Sequence, residues 1–571
     1  MYRTLKQFLR QHFWAFLAAA ICGLILFLPQ IWLMKDAGPE YKGIAMSEVD
    51  NDHYYLSRIA AAYRGDLKIT QASMFGTADM PYTSPPLAED TVAGLARLLR
   101  LTPAEMQFFG YFLFPFLLGL IFYFLAWKVT GSKLVAILTP LGIILGSSIV
   151  MDFHQVQYLF SELSRLWINV YNRPIHPQVS SIYFYGWLTL FYANLVRPSK
   201  YKLVASGVLL GLLFYVYPYS WTVAVTLLGL YIVFSFVKKN FPRGKNLLFM
   251  LGIGLAVSSG YWINYWQLAH QPLFPLIREH FVIYTSHEFS WSNLLFVDFL
   301  VLAVFFWRKL KDEKFYFFLF MFLALLTVIN QQVITGIRMF PGHWHWYYIV
   351  PFSIFFLVYA ALTELTRRAL HQAFAFFAIV FLILFSYAAQ YQYYLRYKDQ
   401  VLSYQRFGPV YEWLSANAVP GSVVVADDKF SERLSIYAPL YHYTWQGADE
   451  LYLITNERIK HGFFTKLYLQ SVGSENLDEH INAGTSELQI LLSLYYRRYA
   501  QNCVVCHTQE EIETLKQEYL EFLDKDFRTE LNRYQVNYAV WDSAGSFESF
   551  EKFAFMELVA EINDMRIYKV N

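Results

Sequence analysis

The chain has 571 residues, of which 56% are hydrophobic, 19% aromatic and only 16% charged, whereas a soluble domain carries about 25% charged residues. A formal net charge of +2 excludes the basic face of a nucleic-acid binder. Three cysteines exclude a disulfide framework.

A helix that crosses a bilayer needs roughly 20 mostly apolar residues. In chain order the sequence predicts about eleven spans, near 12–34, 107–127, 134–150, 180–196, 203–217, 219–237, 247–265, 293–307, 315–333, 347–363 and 373–391. The first is a retained anchor rather than a cleaved signal, because its Phe13–Leu33 run is long and no small-x-small pattern precedes the polar loop. The short loops alternate in charge. One set holds Arg3, Lys6, Arg10; Lys128, Lys133; Arg197, Lys200, Lys202; Lys238, Lys239, Arg243, Lys245; Arg308, Lys309, Lys311, Lys314; and Arg367, Arg368. The other set holds only Arg165, Arg173, Arg278 and Arg338. The positive-inside rule places the N-terminus in the cytoplasm. Segments 35–106, 151–179, 266–292, 334–346 and everything after about 392 then lie outside. The expected domains are a membrane domain, 1–391, with its long outer loop 35–106, and an extracytoplasmic α/β domain, 392–571.

The first loop opens on Met46-Ser-Glu-Val-Asp-Asn-Asp-His-Tyr-Tyr-Leu-Ser-Arg58. Glu48, Asp50 and Asp52 alternate, and acids this close repel unless a positive group separates them. A divalent cation would do so, and carboxylate oxygens suit Mg²⁺ or Mn²⁺. One of them would alternatively serve as a general base, or the loop is simply acidic and solvated. Pro81-Tyr-Thr-Ser-Pro-Pro86 follows, then an amphipathic 92–101 segment suited to a membrane surface.

After the third span, Met151-Asp-Phe-His154 brings Asp152 and His154 out on the same side, as further metal ligands or as a polar cap. Asn172-Arg-Pro-Ile-His-Pro-Gln178 holds two prolines that prevent a regular helix. Its Arg173 and His176 are donors suited to a phosphate or diphosphate, or else a stiffened turn with a snorkelling arginine. Gly336-Ile-Arg-Met-Phe-Pro-Gly-His-Trp-His-Trp346 places Arg338, His343 and His345 among aromatics. That cluster suits a sugar face with a phosphate, or an ordinary aromatic belt. Asp298, near the outer end of its span, is expected to find a local partner.

In the tail, 422–426, 536–541 and 566–570 read as strands and 510–523 as a charged helix. Cys503-Val-Val-Cys-His507 matches the c-type haem attachment spacing, but no second axial ligand is evident nearby. A disulfide or reduced pair, and no haem, is expected. No Walker loop, dinucleotide fingerprint or nucleophile elbow occurs.

Asp50-Asn-Asp52-His-Tyr-Tyr55-Leu-Ser-Arg58 is similar to the first-loop acidic motif of the GT-C superfamily of glycosyltransferases. Gly65 and Pro81–Pro86 resemble the first loop of oligosaccharyltransferase catalytic subunits. The layout of spans, loop and tail resembles that superfamily over most of the chain. The resemblance implies a polytopic enzyme using a polyprenyl-phosphate-linked sugar, with an acid acting on the acceptor or holding a metal. That role falls to Asp52 or Asp50, with Asp52 preferred. Glu48, Asp52, Asp152 and His154 are the metal candidates. Arg173, His176, Arg338 and His343 are the donor-phosphate candidates. The Trp-Trp-Asp acceptor motif of oligosaccharyltransferases is absent, and Tyr538-Ala-Val-Trp-Asp542 is only an echo of it, so modification of asparagine sequons is not implied. The tail resembles that of uncharacterised prokaryotic members.

The expectation is an inner-membrane glycosyltransferase acting on the outer face. Its partners would be membrane lipids, a lipid-linked donor and a glycan, lipid or protein acceptor. A transporter or lipid flippase, or a non-catalytic scaffold for envelope polysaccharide assembly, is the alternative. Internal repeats that would favour a transporter are not evident.

Overall fold

A helix stands at each predicted span in the computed structural model. The structure describes residues 2–571 apart from 48–51, 71, 77–79, 276–277, 279–282, 309–311, 365–367, 444–452 and 483–508. The helices are Phe13–Ala37, Pro103–Thr130, Lys133–Met151, Ser180–Val196, Lys200–Val216, Pro218–Val237, Phe241–Val257, Asn293–Trp307, Glu313–Val328, Val350–Glu364 and Arg368–Tyr404. Phe241–Val257 continues through a 50° bend into Ser259–Ala269. Among the described residues, seven helices are long and apolar enough to cross a membrane, and the bent pair makes an eighth. Asn293–Trp307 is apolar but shorter. The chain is a multi-pass membrane protein with a C-terminal sheet domain. The expected number of eleven spans is not fixed by helix length.

The chain divides into two compact units. The helical unit comprises Met1–Pro39, Met106–Ile263 and Tyr284–Leu402, and the sheet unit comprises Glu40–Glu105, Asn264–Ile283 and Ser403–Asn571. The long loop, which the sequence reading put with the membrane domain, therefore packs with the tail. Its two helices, Asp52–Arg64 and Leu87–Leu99, are too short to span a bilayer. They bury small and apolar side chains instead, among them Leu56, Ile59, Ala60, Val92 and Ala96. Arg64 Nη1 donates to the Ser435 carbonyl at 3.0 Å, which ties the loop to helix Asp428–Tyr437.

In the helical unit, Lys200–Val216 lies directly against Phe241–Val257 through Gly207 and Gly211. A Cβ on Gly211 would stand 2.5 Å from Val257 Cβ, and one on Gly207 would stand 2.8 Å from Ile253 Cβ. This small-x-x-x-small spacing lets membrane helices approach closely. Side chains from loops assigned to one side of the bilayer meet one another. Arg243 holds Glu313 at 2.8 Å, and Lys314 Nζ donates to the Thr130 carbonyl at 3.2 Å. On the opposite side Asn172 and Gln390 exchange amide hydrogen bonds at 3.0 and 2.8 Å. Asp298 is buried and accepts from Ser353 Oγ at 2.6 Å, the local partner its position calls for.

The strands are β1 Tyr284–Thr285 and β2 Ile337–Arg338 in the helical unit, then β3 Val423–Val425, β4 Tyr441–His442, β5 Val536–Asp542, β6 Met556–Ile562 and β7 Met565–Val570. The last five form one sheet ordered β4-β3-β5-β7-β6. β3 runs parallel to both neighbours. Its three valines are all buried, as a central parallel strand requires. The core around them gathers Tyr404, Phe407, Tyr411, Leu414, Phe430, Leu434 and Ile567. Asp542 is clamped by both terminal guanidinium nitrogens of Arg406, Nη1 and Nη2, so the Trp541-Asp542 echo is part of this framework. Cys503 and Cys506 lie outside the described residues.

Candidate functional site

In the sheet unit, Asp52 is the first residue of helix Asp52–Arg64. Glu48 and Asp50 lie outside the described residues. Arg58, six residues on in the same motif, is fully buried and pairs with Glu89 at 2.5 Å, both side chains 0% exposed. Its Nη2 also donates to the Ser84 and Pro85 carbonyls at 3.1 and 3.5 Å. Arg58 thus fixes this helix to the Pro81–Pro86 stretch. The next residue after Glu89, Asp90, has its carboxyl pushed up to about 7, first by burial and then by the neighbouring Glu89 charge.

Asp152 and His154 stand together in the helical unit. His154 Nδ1 lies 2.8 Å from Asp152 Oδ1, and Gln155 Nε2 donates to Oδ2 at 3.1 Å. These contacts hold the Asp152 carboxyl below its usual range, the Gln155 bond contributing most. Both carboxylate oxygens are thus engaged within the turn. Among the described residues no three carboxylate, imidazole or thiol groups converge in a way that would hold a metal ion.

The phosphate candidates separate into two places on either side of Pro341–Trp344. Arg173, His176 and His343 come together. The prolines bend Pro174–Val179 out of regular helical geometry, with His176 at φ −116°, ψ 112°, and bury His176. Its ring stacks on Tyr217 at 4.3 Å. The Tyr217 hydroxyl meets His343 Nδ1 at 2.7 Å, and the His343 ring stacks on Tyr347 at 5.6 Å. Arg173 Nη1 reaches the Tyr347 hydroxyl at 3.5 Å. A wide turn at His345–Ile349, a geometry frequent at functional sites, presents Tyr347. Tyr185 and Ser220 anchor that turn, through the Tyr347 carbonyl at 2.9 Å and the Tyr348 hydroxyl at 2.6 Å. One guanidinium, two imidazoles and two phenols from three distant segments form a donor-rich cluster suited to an anion.

Arg338 lies elsewhere. The β1–β2 pairing sets it opposite Tyr284, with its guanidinium 5.5 Å from that ring centroid. It contributes to a cavity of about 380 Å³ with Glu288, Phe289, Trp291, Gly342 and His345. Glu288 lies 3.5 Å from Arg338 and is 82% exposed.

No family model matches the chain, and no curated protein matches it. Its chain path is similar to that of ArnT. The structure of ArnT from Cupriavidus metallidurans bound to undecaprenyl phosphate aligns with a TM-score of 0.47 and 12% identity, over 98% of each chain. The Archaeoglobus fulgidus oligosaccharyltransferase tethered to an acceptor peptide containing the NVT sequon aligns at 0.44 and 14%, over 94% of this chain and 70% of that one. Its complex with an inhibitory peptide and a dolichol-phosphate aligns at 0.43 and 12%, over 93% and 70%. The similarity is one of chain path, and the residues that bear on chemistry are this chain's own.

Sequence reasoning missed Tyr217, Tyr347, Glu288 and Trp291. Tyr217 has a detectable signal. It precedes Pro218 at the joint between two spans, and the residue before a proline is held extended, here at φ −164°, ψ 128°. Counting spans puts that joint on the same side as Arg173 and His343.

Proposed function

We propose that this protein is a membrane glycosyltransferase that moves a sugar from a polyprenyl-phosphate-linked donor to an acceptor on the outer face of the inner membrane. The observation that carries the reading is the convergence of Arg173, His176 and His343 with Tyr217 and Tyr347. A cationic, donor-rich cluster in a helical membrane unit is costly unless it serves a polar ligand. A lipid phosphate whose tail stays in the bilayer is such a ligand.

In the proposed reaction an acceptor oxygen or nitrogen attacks the anomeric carbon of the donor sugar. The bond from that carbon to the phosphate oxygen breaks, and the polyprenyl phosphate leaves with the electron pair. Asp52, with Asp50 as the alternative, takes the acceptor proton. Arg173, helped by His343 and the phenols, compensates the charge that grows on the departing phosphate. Alternatively, Asp52 together with Glu48 would hold Mg²⁺ or Mn²⁺ rather than act as the base, and such a cation would supply the charge that makes the acceptor easier to deprotonate. Asp152 and His154 are left out of that set because each engages the other.

The test is transfer from a polyprenyl-phosphate sugar by the full chain in nanodiscs. Asp52→Asn keeps the shape and removes the charge, so turnover should fall by about a hundredfold or more with unchanged thermal stability. Normal turnover in Asp52→Asn, in Asp50→Asn and in the double variant would contradict the catalytic assignment and favour a scaffold.

A further inference from the structure

We infer that the cavity around Arg338, Trp291, Glu288 and His345 is a second ligand site, which binds a saccharide carrying an anionic group and serves the acceptor of the reaction proposed above. The inference rests on that reading only for the word acceptor.

At about 380 Å³ the cavity falls within the range of small-ligand sites. Two of its walls are Phe289 and Trp291, 59% and 66% exposed. Flat apolar rings of this kind suit the C–H face of a sugar. Glu288 offers a carboxylate to hydroxyl groups. Arg338 offers a planar fork that fits a phosphate or carboxylate with two hydrogen bonds, and its Nε is buried with no hydrogen-bond acceptor. The Glu288 contact does not block this. At 3.5 Å, with the glutamate largely exposed, it is a weak surface pair that an incoming anion displaces at little cost.

The wall is also held in place before any ligand arrives, which lowers the cost of binding. Gln332, itself buried, donates from Nε2 to the Glu288 carbonyl at 2.9 Å and to Ser290 Oγ at 3.1 Å. Asn330 Oδ1 accepts from Ser290 N at 2.7 Å. Trp291 Nε1 donates to Asn293 Oδ1 at 2.9 Å, which fixes the ring.

The cavity is distinct from the Arg173 cluster. His343 faces Tyr217 and Tyr347, while Gly342 and His345 line the cavity. A donor with one phosphate brings one anionic group. A second arginine-based site in the same unit calls for a second anion, and that anion belongs on the other reactant.

The test measures equilibrium binding of glucose 6-phosphate, glucose and inorganic phosphate to the full chain in nanodiscs, by ligand-observed NMR titration. Glucose 6-phosphate should bind about tenfold or more tighter than either fragment. Arg338→Ala should weaken glucose 6-phosphate by about tenfold or more and leave glucose nearly unchanged, with Arg338→Lys in between. Trp291→Ala, at an exposed position, should weaken both sugars and spare inorganic phosphate. Arg173→Ala should leave all three probes within about twofold while it weakens polyprenyl phosphate. Loss of only the polyprenyl phosphate effect would remove the donor assignment and leave the cavity standing. Glucose 6-phosphate binding no tighter than glucose, or weakened by Arg173→Ala instead of Arg338→Ala, would overturn the inference.

Discussion

Each unit contains an arginine–glutamate pair, and the two pairs do opposite things. Arg58 and Glu89 in the sheet unit are 2.5 Å apart and wholly buried. Arg338 and Glu288 in the helical unit are 3.5 Å apart, with the arginine 23% and the glutamate 82% exposed. In the first pair each charge depends on the other, because neither meets water. The surrounding carbonyls of Ser84 and Pro85 take up further donors of Arg58, so the pair is framework. In the second pair water already solvates the glutamate, so the guanidinium can change partners. The same two residue types are therefore structural or ligand-binding according to how much solvent each retains.

Removing one partner of the buried pair should have the largest effect on stability. Glu89→Ala leaves a buried guanidinium uncompensated and should cost about 3–5 kcal/mol, read as a large fall in the unfolding midpoint of the full chain in detergent. Arg58→Ala should behave alike. A midpoint unchanged in both would break the contrast. A smaller effect is expected at Asp90. Its folded-state pKa is raised to about 7 from an ordinary carboxylate value, so its ionisation opposes folding. The stability it contributes is complete at acid pH and is lost as pH rises toward 7. Asp90→Asn should flatten the fall in midpoint between about pH 4 and about pH 7, and an unaltered pH profile would count against the raised pKa. The smallest effect belongs to Glu288→Ala, which should change stability by no more than about 1 kcal/mol. A change as large as that of Glu89→Ala would mean that Arg338 is framework as well.

The same solvent argument explains what the sequence did and did not reveal. Helices at the spans were readable because their apolar runs are set by the bilayer, and β3, β5 and β7 because apolar strand runs end at turn residues. β6 was missed because Leu558 and Val559 are exposed, so Met556–Ile562 carries no clean alternation. The packing of the first loop with the tail was not readable, since it depends on contacts between residues far apart in sequence, such as Arg64 with the Ser435 carbonyl. Within the candidate site, Arg173, His176 and His343 were readable as donors in proline-broken or aromatic outer segments. Their grouping without Arg338 was not. It depends on a two-residue β1–β2 pair and on which way each histidine of His343-Trp344-His345 points.

The central claim is that the Arg173 cluster holds the phosphate of a lipid-linked donor. It is tested most directly by the affinity of the full chain in nanodiscs for polyprenyl phosphate, at low and high salt. Arg173→Ala should weaken binding by about tenfold or more and reduce its salt dependence, and Arg173→Lys should restore it only in part because an ammonium cannot bind in two places at once. Equal affinity in wild type, Arg173→Ala and His343→Ala at both salt concentrations would contradict the account, leaving the cluster as an anchor at the headgroups.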